Sequence, residues 1–196
     1  VTIQVLAISD WHGQLDPTPV TDVGNVGGAP AFAAWFAQER AANPDTLLLS
    51  AGDSYGASPP LASFFDEQPV VEAMNLMRFQ ATTLGNHEFD RGLDHLRGMV
   101  TKARYPYVSA NIEHTDTLVC EGELAGSCIT PFTLLPVAGV KVAVIGLTTP
   151  ETAEVVKAGS LGNLTFADPV TSAQKALSDG KASGASVFVA LAHIGG

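Results

Sequence analysis

Basic residues are scarce in this sequence: 10 Lys and Arg stand against 20 Asp and Glu, a formal charge of −10 at pH 7 with histidine neutral. Nucleic-acid polymers and anionic membranes are held through basic patches, so the balance argues against both as partners. The acidic residues are scattered and read mainly as a solvated surface. Long apolar runs are missing too. None approaches the roughly 20 residues of a membrane-spanning helix, and no charged-then-apolar leader precedes the first strand. The first residue is Val1, not Met, which fits a processed mature protein or a fragment. Cysteine is limited to Cys120 and Cys128, too few and wrongly spaced for a thiolate metal site. A disulfide closing the polar loop between them would fit an oxidising compartment, and two unrelated thiols is the other reading. Internal repeats and low-complexity tracts are absent. What remains, 196 residues of which 46% are hydrophobic, is enough for one domain with one core.

The informative pattern is where apolar runs stop. Val5-Leu6-Ala7-Ile8 ends at Asp10-Trp11-His12, Thr46-Leu47-Leu48-Leu49 leads to Gly52-Asp53, Ala81-Thr82-Thr83-Leu84 leads to Gly85-Asn86-His87-Glu88-Phe89-Asp90, and Val187 through Ala192 ends at His193. Each polar end taken singly reads equally as a helix cap, a turn or an exposed histidine. Taken together they place metal-capable oxygens and nitrogens at four strand ends, where open α/β sheets form their ligand crevice. Oxygens from Asp10, Asp53 and Asn86 with imidazoles from His12 and His193 suit Mn, Zn, Fe or Co better than calcium. One carboxylate shared by two cations is the simplest way to hold them about 3.5–4 Å apart, and Asp53 is the candidate. Asp90, three residues after His87, is placed to orient that imidazole.

These blocks, in this order, resemble the motifs of the calcineurin-like metallophosphoesterases. The six-residue form at 85–90, followed by Ser109-Ala110-Asn111-Ile112 and Ile145-Gly146-Leu147-Thr148-Thr149-Pro150-Glu151-Thr152, is similar to the 5′-nucleotidase branch. The resemblance implies a layered αββα sandwich and two divalent metal ions. Asp10, His12 and Asp53 would hold one metal, Asp53, Asn86 and His193 the other, with His87 and Asp90 as a catalytic dyad. Family members continue to a Gly-His-x-His block and, in nucleotidases, to a C-terminal base-binding domain. This chain stops at Gly196, so the expectation is one domain over 1–196, the N-terminal portion of a catalytic domain with an incomplete metal site.

Elsewhere, residues 13–30 read as a Gly/Pro/Asp-rich loop over the site, with Gly27-Gly28 passing close to another backbone. The spacing predicts helices over 30–42, from Pro59-Pro60 toward Phe65, over 70–77, over 92–103 and from Pro169 to a stop at Gly180. Trp35, Phe36, Met74 and Met77 are assigned to the core, as are Val170, Ala173 and Leu177 on the inward face of the last helix. His95 and His114 are assigned to the surface. Trp11, between two candidate ligands, either packs in the core or shields the site from water. Residues 132–137 and 141–147 form a β-hairpin, and the remaining strands alternate with helices, giving a largely parallel sheet. A sheet edge left open by the last strand could serve association.

The function these readings imply is metal-dependent hydrolysis of a small phosphorylated substrate, most simply a nucleoside 5′-monophosphate. A 2′,3′-cyclic nucleotide, a nucleotide-sugar, or no catalysis at all in a binding or scaffold module are the alternatives. The acidic surface would repel such a substrate unless cations reverse the field locally, which favours metals over an arginine clamp. The cysteine pair and the family's frequent export imply an extracellular or periplasmic location. The sequence leaves the oligomeric state open.

Overall fold

Leu47, Leu48 and Leu49 are consecutive and all fully buried, yet they face two different cores. Side chains alternate across a strand, so a strand buried throughout must be covered on both faces. In the computed structural model, which describes residues 1–121 and 126–195, that strand lies inside a five-stranded sheet. The sheet comprises β1 (Gln4–Ile8), β2 (Thr46–Ser50), β3 (Ala81–Thr82), β4 (Tyr107–Val108) and β5 (Ile129–Thr130), in that spatial order and all parallel.

Strands laid down consecutively in one direction put right-handed crossovers on a single face. Helices α1 (Gly28–Ala42), α2 (Gln68–Met77) and α3 (Leu93–Lys102) accordingly share one core, to which Leu48, Phe36, Met74 and Leu96 all belong. The opposite face is left for a second sheet. It contains the hairpin β6 (Phe132–Val137) and β7 (Val140–Thr148), joined in parallel by β8 (Val187–His193). Leu47, Leu49 and Ala81 pack against Val142, Val144 and Leu191 between the sheets. Helix α4 (Pro169–Ala182) covers the outer face of β7, its start capped by Asp168 Oδ1, which accepts from Thr171 N at 2.8 Å. The result is the expected αββα layering.

Several local expectations change. Gly180 does not stop α4, which continues to Ala182; it is buried because a Cβ there would lie 3.2 Å from Ala143 Cβ and from the Phe188 ring. Val170 is 63% exposed and, with Leu177, Ile145, Phe188 and Ile194, lines an open apolar groove beside β8. Trp35 is 51% exposed while its neighbour Phe36 is buried, since only one of two adjacent helical positions can face the sheet. Trp11 is buried edge-on against Phe32, its indole N–H donating to Gln14 O at 2.9 Å; it is core. The 13–30 segment contains a short hairpin, Thr18–Val20 with Gly24–Val26. Gly28, at φ +79°, passes the backbone of 15–17, whereas Gly27 meets nothing. Cys120 and Cys128 form a disulfide with Cα atoms 5.0 Å apart; residues 122–125 of the loop it closes lie outside the described residues. Among the described residues β8 is an edge strand, as expected.

At Gly146 the two sheets approach too closely for a side chain: a Cβ would run into the Val108 carbonyl and lie 2.7 Å from Thr83 Oγ1. Gly146→Ala is expected to destabilise the domain by about 1–3 kcal/mol, the usual cost of overpacking, read as a lower urea midpoint at unchanged slope.

Candidate metal centre

The loop after β1 and the loop after β2 extend their strand pairing beyond the sheet. Ala51 N donates to Ile8 O (2.7 Å), Asp10 N to Gly52 O (3.1 Å), His12 N to Asp53 O (3.0 Å) and Gly13 N to Ser54 O (2.9 Å). Within this ladder Asp10, His12 and Asp53 adopt left-handed backbones, with φ of 54°, 49° and 49°. For residues other than glycine that conformation costs about 1–2 kcal/mol. Such outliers persist only where surroundings over-determine them, which occurs at functional sites.

Asp53 is the hub, 3% exposed. Its Oδ1 accepts from His87 N at 2.9 Å, and its Oδ2 lies 3.2 Å from His193 Nε2 and 4.0 Å from His12 Nε2. The imidazoles share one arrangement. His193 Nδ1 donates to Ala51 O (2.9 Å) and His12 Nδ1 to Gly56 O (2.9 Å), while His87 Nδ1 meets Asp90 Oδ2 at 2.7 Å. In each ring the tie at Nδ1 leaves Nε2 to face the site, where His193 Nε2 meets the Asp53 carboxylate, and such a tie is how metal-binding histidines are oriented.

The ligand-type atoms fall into two groups, each within 4.8 Å: His12, Asp53 and His87; and Asp10, Asp53 and His193. Asp53 belongs to both. The expectation set Asp10 and His12 together with Asp53; the side chains as placed also bring His87 to His12 and Asp53, the His12 and His87 rings meeting edge-on with centroids 4.9 Å apart. Asn86 stands half-buried between Gly85 and His87. Gly85 is needed for space more than for a turn, since a Cβ there would strike the Asp53 carboxylate and lie 2.8 Å from His193 Nε2.

Two buried glutamates hold this assembly, and the sequence reading gave neither a role. Glu88, 1% exposed, accepts from Asp53 N (2.9 Å), Ser54 N (2.7 Å) and Gly85 N (2.7 Å), tying two ligand-bearing loops to one carboxylate. Glu67 Oε1 accepts from Gly56 N at 3.1 Å, supporting the residue whose carbonyl holds His12. His95, expected on the surface, is half-buried: its side chain is 16% exposed, with Nε2 3.0 Å from Asp66 O and 3.6 Å from Glu67 Oε2. His114 is exposed, as expected.

Burial works against the charge on Asp53, but the hydrogen bonds from His193 and from His87 N outweigh it and hold the carboxyl below its usual range. The same contact with Asp53 pushes His193 up to about 9. Burial would lower His87, yet the Asp90 carboxylate wins and its pKa rises. Glu88 is pushed up to about 7 by burial and by the neighbouring Asp53 charge, against the pull of three N–H donors. Carboxylates gathered here beyond what water can solvate call for positive charge, and the mixed oxygen and imidazole donors fit divalent cations of the Mn, Fe, Co or Zn kind. No thiolate competes, because both cysteines are in the disulfide.

His193 has a folded pKa above its ordinary 6.5, so the stability of its pair with Asp53 is fully present below pH 6.5 and is lost as pH rises toward 9. The thermal midpoint of the metal-free chain is expected to fall across that window, and His193→Gln to flatten the fall.

The calcineurin-like phosphoesterase family model matches residues 3–196. The chain is 31% identical over 206 residues to the endonuclease YhcR of Bacillus subtilis, covering 99% of this chain and 17% of that protein. It is 31% identical over 200 residues to the 5′-nucleotidase of Homo sapiens, covering 98% of this chain and 34% of that one. The crystal structure of a 5′-nucleotidase precursor from Thermus thermophilus superposes with a TM-score of 0.83 at 33% identity, over 98% of this chain and 37% of the other. The chain thus spans about a third or less of the length of the curated relatives it matches here. With this layering, ligand-type residues at its strand ends and a match over nearly its whole length, the chain belongs to the calcineurin-like phosphoesterase family and is similar there to 5′-nucleotidases.

Proposed function

We propose that this domain is a phosphoester hydrolase acting on nucleoside 5′-monophosphates or closely related nucleotides, with two divalent cations at the Asp53 centre. The observation that carries the reading is that buried Asp53 is common to both groups of ligand-type residues while the His87–Asp90 pair, at 2.7 Å, opens onto the same site. The names of the human, snake-venom and Thermus relatives, all 5′-nucleotidases, support the substrate class.

Asp10, His12, Asp53, Asn86 and His193 would hold the cations, with Asp53 between them. When bound, such cations withdraw charge from phosphoryl oxygens and acidify water for in-line attack. The chain's own part begins with Asp90, which meets His87 Nδ1 and favours the charged ring, the form that has a proton on Nε2. From Nε2 that proton can be donated to a developing phosphoryl charge or to the leaving oxygen. Glu88 and Glu67 keep the loops in place while this happens. A binding or scaffold module would have no chemical need for the dyad. An extracellular or periplasmic setting is supported by the disulfide and by the cell wall protein of Listeria monocytogenes among the relatives; among the described residues no helix is long and apolar enough to cross a membrane.

Two substitutions test the roles against each other. His87→Ala should lower turnover of a nucleoside 5′-monophosphate by about 10²–10⁴-fold, the range for a positioned acid or base, with metal content by elemental analysis unchanged. Asp53→Asn should lose both metals together, and retention of either at full occupancy would remove Asp53 from its bridging place.

A further inference from the structure

The ligand-type residues come from different sheets. Asp10, His12, Asp53 and Asn86 follow strands of the five-stranded sheet, whereas His193 ends β8 of the three-stranded one. Apolar contacts fill the space between the sheets, and these are non-directional. Metal ligation tolerates only about 0.2 Å, so something directional must set the sheets against each other at this end.

The structure supplies it in two sequence blocks to which the mechanism assigns nothing, 109–112 and 145–152. Asn111 is fully buried, and its amide is satisfied on both sides. Oδ1 accepts from Thr148 N (2.9 Å), with Ser109 Oγ 3.3 Å away, and Nδ2 donates to Thr148 O (2.7 Å) and Ala167 O (3.3 Å). Thr148 Oγ1 donates to Leu84 O at 2.9 Å and takes a hydrogen bond from Ser109 Oγ, also 2.9 Å. Leu84 directly precedes Gly85-Asn86-His87, and Thr148 is the register partner of His193 in the β7–β8 pair. One polar chain therefore runs from the turn that carries the dyad, across the seam, to the strand position beside His193.

We infer that Asn111, acting through Thr148, is a positioning residue that sets His193 against Asp53. The inference rests on the metal-centre reading above. Each donor and acceptor in the chain points one way, so the pair fixes translation along the strands, which packed Leu and Val side chains leave loose. Asn111→Leu removes all of the amide bonds at similar volume, and Thr148→Val removes the hydroxyl with almost no change of shape.

In the metal-free chain, the imidazole ¹H–¹⁵N signals of His193 should shift in both variants while those of His114 stay in place. Manganese affinity by calorimetry should fall about tenfold or more, as for other residues that orient metal ligands. The loss should vanish when the same changes are made on His193→Ala, because a residue acting through His193 has nothing left to act on. Lowered thermal midpoints with unmoved His193 signals would make Asn111 a stability residue only and overturn the inference. So would an equal loss of affinity on the His193→Ala background. If the unmodified chain takes up no manganese, the metal-centre reading fails and the imidazole signals alone decide the positioning role. Should Asn111→Leu fail to fold, Thr148→Val carries both measurements.

Discussion

Burying a carboxylate is the constraint that shapes this domain. Asp53 lies in the interior with Glu88 as a close neighbour, and two such charges together would be costly without compensation. Compensation comes from several directions at once: His193 from the second sheet, the His87 N–H from the turn after β3, and the backbone donors that Glu88 collects. None of these partners is near Asp53 in sequence except its own loop. Holding the carboxylate in place therefore requires both sheets and three loops to be folded together, and the site is a consequence of the whole layering.

The layering follows from simple topology. Five parallel strands in sequential order send every crossover to one face, which leaves the other face free for a second sheet. Strand ends of both sheets then converge on one rim. His193 can reach Asp53 because the two sheets meet face to face, and Gly146 and Gly85 are small where backbone or carboxylate passes too close for a Cβ.

Much of this is legible in the sequence for physical reasons. Asp10, His12, Asp53, Asn86, His87 and His193 stand out because each terminates an apolar run, and polar groups at the ends of buried strands need a purpose. The hairpin and the helices expected over 30–42 and 70–77 follow from periodicity, within two residues of the observed starts at Gly28 and Gln68. Other features are illegible for equally physical reasons. Glu88 looks like an acid in the first turn of a helix, and nothing local says that it turns inward to three N–H groups. The grouping of Asp10 with His193 about Asp53 depends on how the left-handed turns aim the side chains. Gly180 carries the signature of a helix end but is a packing residue, because the sheet it faces is distant in sequence. Trp35 and Phe36 have nearly the same hydrophobicity, and only the axial rotation of α1 decides which is buried.

The left-handed backbones at Asp10, His12 and Asp53 have an evolutionary side. Glycine adopts that conformation freely, whereas histidine at position 12 pays for it most. Glycine in their place removes conformational strain, but at position 53 it also breaks the pair with His193. A directed-evolution campaign scored on heat resistance alone would be drawn to positions 10 and 12, accumulating chains that survive higher temperatures and lack ligands for a cation. Scoring on survival and turnover together is what would keep them.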